Sequence, residues 1–445
     1  MGRRRGGGGR VGTAPVRGAR SRHRRRHRRD RQEHHRRTGA RAATGTARGT
    51  DGAGRERPGA REGGEVKSTT GALLTPAEVA AGGAELQQEH ADLRDSVRAL
   101  LADRNPEEAV RERAGRNGDF DRALWRDFGS DLGAAGLTIP IEFGGHGYGW
   151  VEQAITLQEA GRSLYGGPLL STVGLAIPAL LAIDDDGAKH ELLPRIADCS
   201  LLATAALPPL GHEPAVTASG SGGDGTLSGT LTNVLDGASA DVVLLAASDD
   251  HGGSLYLVRP GPGVTVRPLA GLDLARSHAR LELDGAPAQR LSTGGGAQIM
   301  ARVRDRAVLA LVAEQLGVAE RALEMSVEYA KTRVQFDRAI GSFQAIKHMC
   351  ADMLVGVESV RALVEHAAWL ADNRPDLLPA AAAAAKVRCC EVAGSITADA
   401  IHVHGGTGFT WEHPAHLYFR RARASEVLFG APDQYRAELA DRLAL

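Results

Sequence analysis

No run of about 18 apolar residues occurs in the chain, so no segment reads as a membrane-spanning helix. The opening residues, MGRRRGGGGR, are charged from the start and lead into no apolar stretch of the kind a secretory signal needs. Cysteine is sparse, with four in 445 residues: Cys199, Cys350, Cys389 and Cys390. That is too few for a disulfide framework at this length, and it fits a reducing cytoplasm, the compartment expected here. No CxxC pair or Cys/His ligand spacing accompanies Cys389 and Cys390, so they are read as packing residues, and no metal site is expected. Aromatic residues make up only 4%. Alanine, glycine and arginine are abundant instead, a bias that fits a GC-rich genome.

Net charge is also absent: 54 basic residues balance 54 acidic ones. The balance is uneven along the chain. Residues 1–65 are dense in Arg, Gly and His, as in SRHRRRHRRDRQEHHRR, and the remainder is net acidic. A tail of this composition cannot bury enough apolar surface to order itself. It has no aromatic residues to stack on bases and no folded nucleic-acid module follows it, so no nucleic-acid partner is expected. Residues 1–70 are read as a disordered tail. Val66, preceded by Glu62-Gly63-Gly64-Glu65, is the candidate for the natural start.

Beyond the tail the pattern changes twice. Residues 71–205 read as a helical domain. It opens on a Thr75-Pro76-Ala77-Glu78 cap and carries a stripe of Leu93, Val97, Leu100 and Leu101. Further helices are expected over 119–132, 151–164 and 186–198. Residues 206–296 turn rich in Pro, Gly, Ser and Thr, with short strand-like runs. Asp236-Gly237 and Asp284-Gly285 signal hairpins there, which suggests a small antiparallel β domain. From 297 to 445 helical periodicity returns in four long segments, the pattern of a four-helix bundle. The fold class is α+β, mainly α, in the order helices, β domain, helical bundle.

Three C-terminal segments carry chemistry. In Tyr329-Ala-Lys-Thr-Arg333-Val-Gln335-Phe336, followed by Gly341-Ser-Phe-Gln344, an arginine at a helix end can clamp a phosphate with two parallel hydrogen bonds. His402-Val-His404-Gly405-Gly406-Thr407-Gly408-Phe409 lies between two helices. Its glycines let backbone N–H groups approach a pyrophosphate. Trp411-Glu412-His413-Pro414-Ala-His416 follows directly.

These pieces together resemble the acyl-CoA dehydrogenase family of the actinobacterial type. The matching stretches are LWRDFGSDLGAAGLTIPIEFGGHGYG, LLPRIA, YAKTRVQFDRAIGSFQAIKHMCADM and HVHGGTGFTWEHPAHLYFRRA, in the family's order over about residues 85–440. The resemblance implies FAD bound between the subunits of a dimer or tetramer. Arg333 then meets the pyrophosphate, Phe336 and Gln344 lie near the nucleotide, and Gly405 and Gly406 line the phosphates. His402 stands where many relatives carry Gln, and Thr204 is matched loosely to a flavin contact. The implied reaction is α,β-dehydrogenation of an acyl-CoA thioester, with electrons passed to an electron-transfer flavoprotein.

The resemblance fails at the base. Counted from Gly405, the position of the family's usual glutamate is Phe429; the less common position, counted back from Leu316-Gly317, is Ala307. Three other carboxylates are candidates. Glu314 shares a helix face with Ala307 but lies about 10 Å along the axis. Asp305 points roughly 160° away. Glu426 is one turn before Phe429. Two alternatives to a self-sufficient enzyme follow: a subunit that completes the FAD site of a homologous partner chain, or a flavin monooxygenase on the same scaffold.

Overall fold

The computed structural model describes residues 84–114, 116, 120–220 and 224–443. The arginine-rich tail, the Val66 start and the Thr75 cap lie outside the described residues.

The first helices bury the apolar stripes that the periodicity marks. Helix α1 (Ala84–Arg104) buries Val97 and Leu101, and α2 (Glu107–Arg113) buries Val110. The Asp121 carboxylate accepts the Ala123 and Leu124 N–H groups at 2.8 and 2.9 Å, satisfying two of the donors a helix start leaves unpaired. It thereby starts α3 (Arg122–Ser130), which buries Leu124, Trp125 and Phe128. Helix α4 (Trp150–Arg162) follows the glycine-broken loop, and Glu152 accepts the Gly149 N–H at 2.9 Å. Two short helices, α5 (Leu169–Ser171) and α6 (Ile177–Leu181), join through a π-helical turn at Thr172–Ala176 and lead to α7 (Asp186–Ala197).

The sheet has seven strands: β1 (Ala203–Ala206), β2 (Val216–Ser219), β3 (Asp224–Leu235), β4 (Val242–Ala247), β5 (Ser254–Val258), β6 (Val264–Leu269) and β7 (His278–Arg290). Their order is β1-β4-β5-β7-β3-β2, with β6 also on β7. Three features depart from the sequence reading. The sheet begins at Ala203, inside the segment read as helical, and its β1–β4 pair is parallel. Asp236-Gly237 is a turn but not a hairpin, because β3 pairs with β7 while β4 pairs with β1 and β5. Asp284-Gly285 lies within β7. There the register shifts against Leu227–Gly229, and Gly285 has φ 61°. An Asp-Gly pair supplies the positive φ that a bulge needs as readily as the one a tight turn needs.

The helical remainder contains the four expected long helices, α8 (Gly296–Thr332), α9 (Gln344–Asn373), α10 (Leu378–His404) and α11 (Ala415–Val427), and among the described residues a further one follows, α12 (Pro432–Leu443). At 37 residues, α8 runs about 55 Å through the core. It is buried on nearly every face along Ala307–Glu320 because α4 packs on one side and α10 on another. Close approach to α4 rests on two glycines. A Cβ at Gly317 would stand 1.8 Å from the Gln158 carbonyl oxygen, and one at Gly161 would stand 1.9 Å from that of Glu314. Cys389 and Cys390 are both buried, and the Cys389 Sγ lies 3.7 Å from the Val312 carbonyl.

Candidate cofactor and active site

Arg333 caps the C-terminus of α8 in an extended conformation. The chain then reverses through Phe336 and Asp337, both at positive φ, in a two-residue ladder of β8 (Val334–Gln335) and β9 (Arg338–Ala339). It re-enters helix at Gln344. Arg333, Phe336 and Gln344 are all exposed, Phe336 at 86%. Behind them the Arg338 guanidinium sits 4.0 Å over the Phe343 ring, which meets the Phe336 ring edge-on at 6.2 Å. Among the described residues the Arg333 side chain has no hydrogen-bond or ion-pair partner.

The glycine loop lies at the same end of the bundle. The Tyr329 ring, one turn before Arg333, lies tilted against His404 with centroids 4.5 Å apart, and His404 lies tilted against His413 at 4.3 Å. Burial pushes the His404 and His416 pKa values down, and pushes that of His413 to about 4, so these rings are neutral near pH 7. Gly405 follows at φ 58° and opens a 3₁₀ turn over Gly405–Phe409. A Cβ added at Gly405 or Gly406 would meet nothing within 4 Å, so the space beside both is open. His402 is exposed beside them, as are Phe409 (80%) and Trp411. Two segments 70 residues apart thus present an unpaired guanidinium, approachable backbone and uncovered rings together. That donor set suits a dinucleotide pyrophosphate.

The remaining candidates lie elsewhere. The Thr204 hydroxyl is fully buried and donates to the Leu235 carbonyl at 2.8 Å, so it faces no ligand. Glu314 is buried and paired with two guanidiniums, Arg276 Nη2 at 2.6 Å and Arg421 Nη1. Both guanidiniums meet the same oxygen, Oε1, which ties this carboxylate into a buried ion-pair network. Asp305 is raised to about 6 by burial and by the Glu438 charge, and Glu438 belongs to α12. Glu426 pairs with Arg423 of its own helix at 2.7 Å. The two positions that the resemblance marks for the base, Phe429 and Ala307, carry apolar side chains. Ala307 is buried against Gly174. Phe429 is half-buried at φ 64°, and its carbonyl accepts the Tyr435 hydroxyl at 2.7 Å.

Sequence reasoning missed the polar centre of the molecule. Asp273, Arg276, Glu314 and Arg421 form one buried ionic cluster between the β6–β7 loop, α8 and α11. Arg276 also donates to the Ser425 hydroxyl at 2.9 Å. Beside it the fully buried Asp236 accepts the Ser171 hydroxyl at 2.6 Å, and burial raises its pKa to about 6. Lys386, also fully buried, donates to the Ser425 and Leu428 carbonyls and so fixes the end of α11 just before Phe429. A run such as Phe419-Arg420-Arg421-Ala422-Arg423 gives no sign of which arginine turns inward.

The comparisons agree along the chain. Residues 87–200 match the acyl-CoA dehydrogenase N-terminal domain, and residues 294–444 match the acyl-CoA dehydrogenase C-terminal domain. The acyl-CoA dehydrogenase IpdE2 of Mycobacterium tuberculosis is 36% identical over 78% of this chain and 94% of that protein. In the solved ChsE4-ChsE5 complex of Mycobacterium tuberculosis, a chain superposes with TM-score 0.74 at 34% identity, covering 80% of this chain and 97% of that one. A chain of the electron transferring flavoprotein of Acidaminococcus fermentans gives TM-score 0.75 at 26% identity, over 80% and 98%. With the helix–sheet–helix order and both C-terminal motifs in place, the chain belongs to the acyl-CoA dehydrogenase family.

Proposed function

We propose that this chain works within an FAD-dependent acyl-CoA dehydrogenase as the subunit that completes the flavin site of a homologous partner. One observation carries the proposal: Arg333, Phe336, Gln344, Gly405 and Gly406 are presented outward, while Thr204, the residue matched to the flavin ring, has its hydroxyl spent on Leu235. The cofactor-holding groups of this chain therefore suit a dinucleotide whose ring lies in another subunit. Similarity to a chain of the ChsE4-ChsE5 complex supports a two-chain arrangement.

FAD, held by Arg333, Gly405 and Gly406, would supply the acceptor for the β hydride of the acyl group. The residues of this chain bind and orient. The Arg333 guanidinium offsets the pyrophosphate charge. Gly405 and Gly406 admit the phosphates to backbone N–H groups, Phe336 covers the nucleotide, and Gln344 and His402 offer polar contacts. Phe429 and Ala307 give this chain no group to take the α proton, so the partner supplies the base. Electrons pass onward to an electron-transfer flavoprotein. The test is the flavin-to-protein ratio of the chain purified alone and with a homologous partner. Flavin is expected in the pair and little in the lone chain; stoichiometric flavin in the lone chain would refute the assignment.

A further inference from the structure

The segment from Gly405 to Pro414 carries the glycines and uncovered rings of the cofactor end, and little holds it in place. Among the described residues the hydrogen bonds of Thr407–His413 are local, with one exception. The Thr410 N–H and hydroxyl both reach the Thr407 carbonyl, at 3.1 and 3.0 Å, and the His413 N–H reaches the Thr410 carbonyl at 3.3 Å. The His413 ring accepts the Ala415 N–H at 3.2 Å. Gly405 and Gly406 add no packing, since the space beside each is open, and Phe409 and Trp411 are exposed. The exception comes from 301 residues away: Arg111 of α2 donates its Nη1 hydrogen to the Glu412 carbonyl.

Arg111 stands on a fixed base. Asn105, just before α2, is 4% exposed, and its Nδ2 donates to the Ser163 carbonyl at the end of α4 at 2.9 Å. Its Oδ1 accepts from Arg113, at the other end of α2. Val110, next to Arg111, is buried in the core. The Arg111 side chain is itself 18% exposed. Among the described residues its one ion-pair partner is Glu108 at 3.5 Å, a carboxylate that is 73% exposed and so offsets little of the charge. A charged, mostly buried donor makes a stronger bond to a carbonyl than a neutral one does.

From this geometry we infer that Arg111 is a positioning residue for FAD: its bond to the Glu412 carbonyl fixes the Gly405–Pro414 segment in the shape that receives the pyrophosphate. Arg111 acts through the segment rather than on the flavin. Without the bond the segment samples other shapes, and cofactor binding must then order it. The effect on flavin rests on the assignment of Gly405 and Gly406 to FAD; the hold on the segment does not.

Two measurements test this. Hydrogen–deuterium exchange of the lone chain reads the segment. In Arg111→Met, which keeps an apolar stem but no donor, the amides of 405–413 should exchange about tenfold faster, while those of α8 exchange as in the parent. FAD titration of the pair reads the cofactor. Arg111→Met should raise the dissociation constant about tenfold, the worth of one hydrogen bond from a charged group. Arg111→Lys, which keeps a charged donor, should restore most of the affinity. Should Arg111→Met fail to give a cooperative melt, Arg111→Gln decides on the same two readings. Unchanged exchange overturns the hold on the segment. Faster exchange with unchanged affinity overturns the role in cofactor binding, and equal losses in Arg111→Met and Arg111→Lys overturn the hydrogen bond as its cause. Arg333→Ala is the control. If it loses FAD where Arg111→Met does not, the role of Arg111 alone falls; if neither loses FAD, the flavin assignment falls with it.

Discussion

Arg421 of α11 and Glu314 of α8 form an ion pair that is almost wholly shielded from water, with Arg276 on the same carboxylate oxygen and Asp273 on the Arg421 Nε. With Asp273 and Arg276 the cluster joins three parts of the chain that are far apart in sequence. Removing one charge strands the others. Glu314→Gln should therefore cost about 3–5 kcal/mol in urea unfolding. Glu426→Gln, which breaks a partly exposed pair within one helix, should cost less than about 1 kcal/mol. Equal effects would contradict the difference drawn between the two carboxylates.

Gly317 should tolerate no side chain. A Cβ there meets backbone rather than a movable side-chain end, so Gly317→Ala must push α8 from α4. The expected loss is about 3 kcal/mol or more, read as a lower melting temperature. Gly406→Ala, at an open position, should melt like the parent chain.

Asp236 predicts a pH dependence of stability. Burial raises its folded pKa from 3.8 to about 6, opposed by the Ser171 hydrogen bond and by Arg276 and Arg421, and reinforced by Glu314. Between those pH values the folded state binds more protons than the unfolded one. The contribution is thus full below about pH 4 and is lost as pH rises through about 6. His278, lowered to about 4 by burial, acts in the opposite sense over a similar range. Comparison with Asp236→Asn isolates the carboxyl: from pH 4 to 7 the parent should lose up to about 3 kcal/mol relative to the variant. A constant difference across that range would show that Asp236 titrates normally.

Arg333 should govern flavin retention. Arg333→Ala is expected to lower the flavin-to-protein ratio of the pair about tenfold after gel filtration, with the melting temperature of the lone chain unchanged. Arg333→Lys should restore only part, since an ammonium keeps the charge but not the fork geometry. Full retention in Arg333→Ala would remove the residue from the site.

Sequence gave access to some of this and not to the rest, for physical reasons. Periodicity exposed α1, α3 and the bundle because their buried faces repeat every three or four residues. It missed β1, whose Ala203-Thr204-Ala205-Ala206 is buried throughout and does not alternate. Asp284-Gly285 misled because turns and bulges share a backbone requirement. Arg333 and Gly405 were legible because their chemistry is local to a helix end. The cluster around Glu314 was not, since its members lie 38 and 107 residues from it along the chain.

The most direct measurement is an anaerobic titration of the flavin absorbance with a panel of acyl-CoA thioesters. It is run on the lone chain reconstituted with FAD and on the pair. The pair should bleach, and any flavin on the lone chain should stay oxidised, because neither Phe429 nor Ala307 can remove a proton. Bleaching of the lone chain would contradict the account and return the search for a base to Glu314, Glu426 and Asp305.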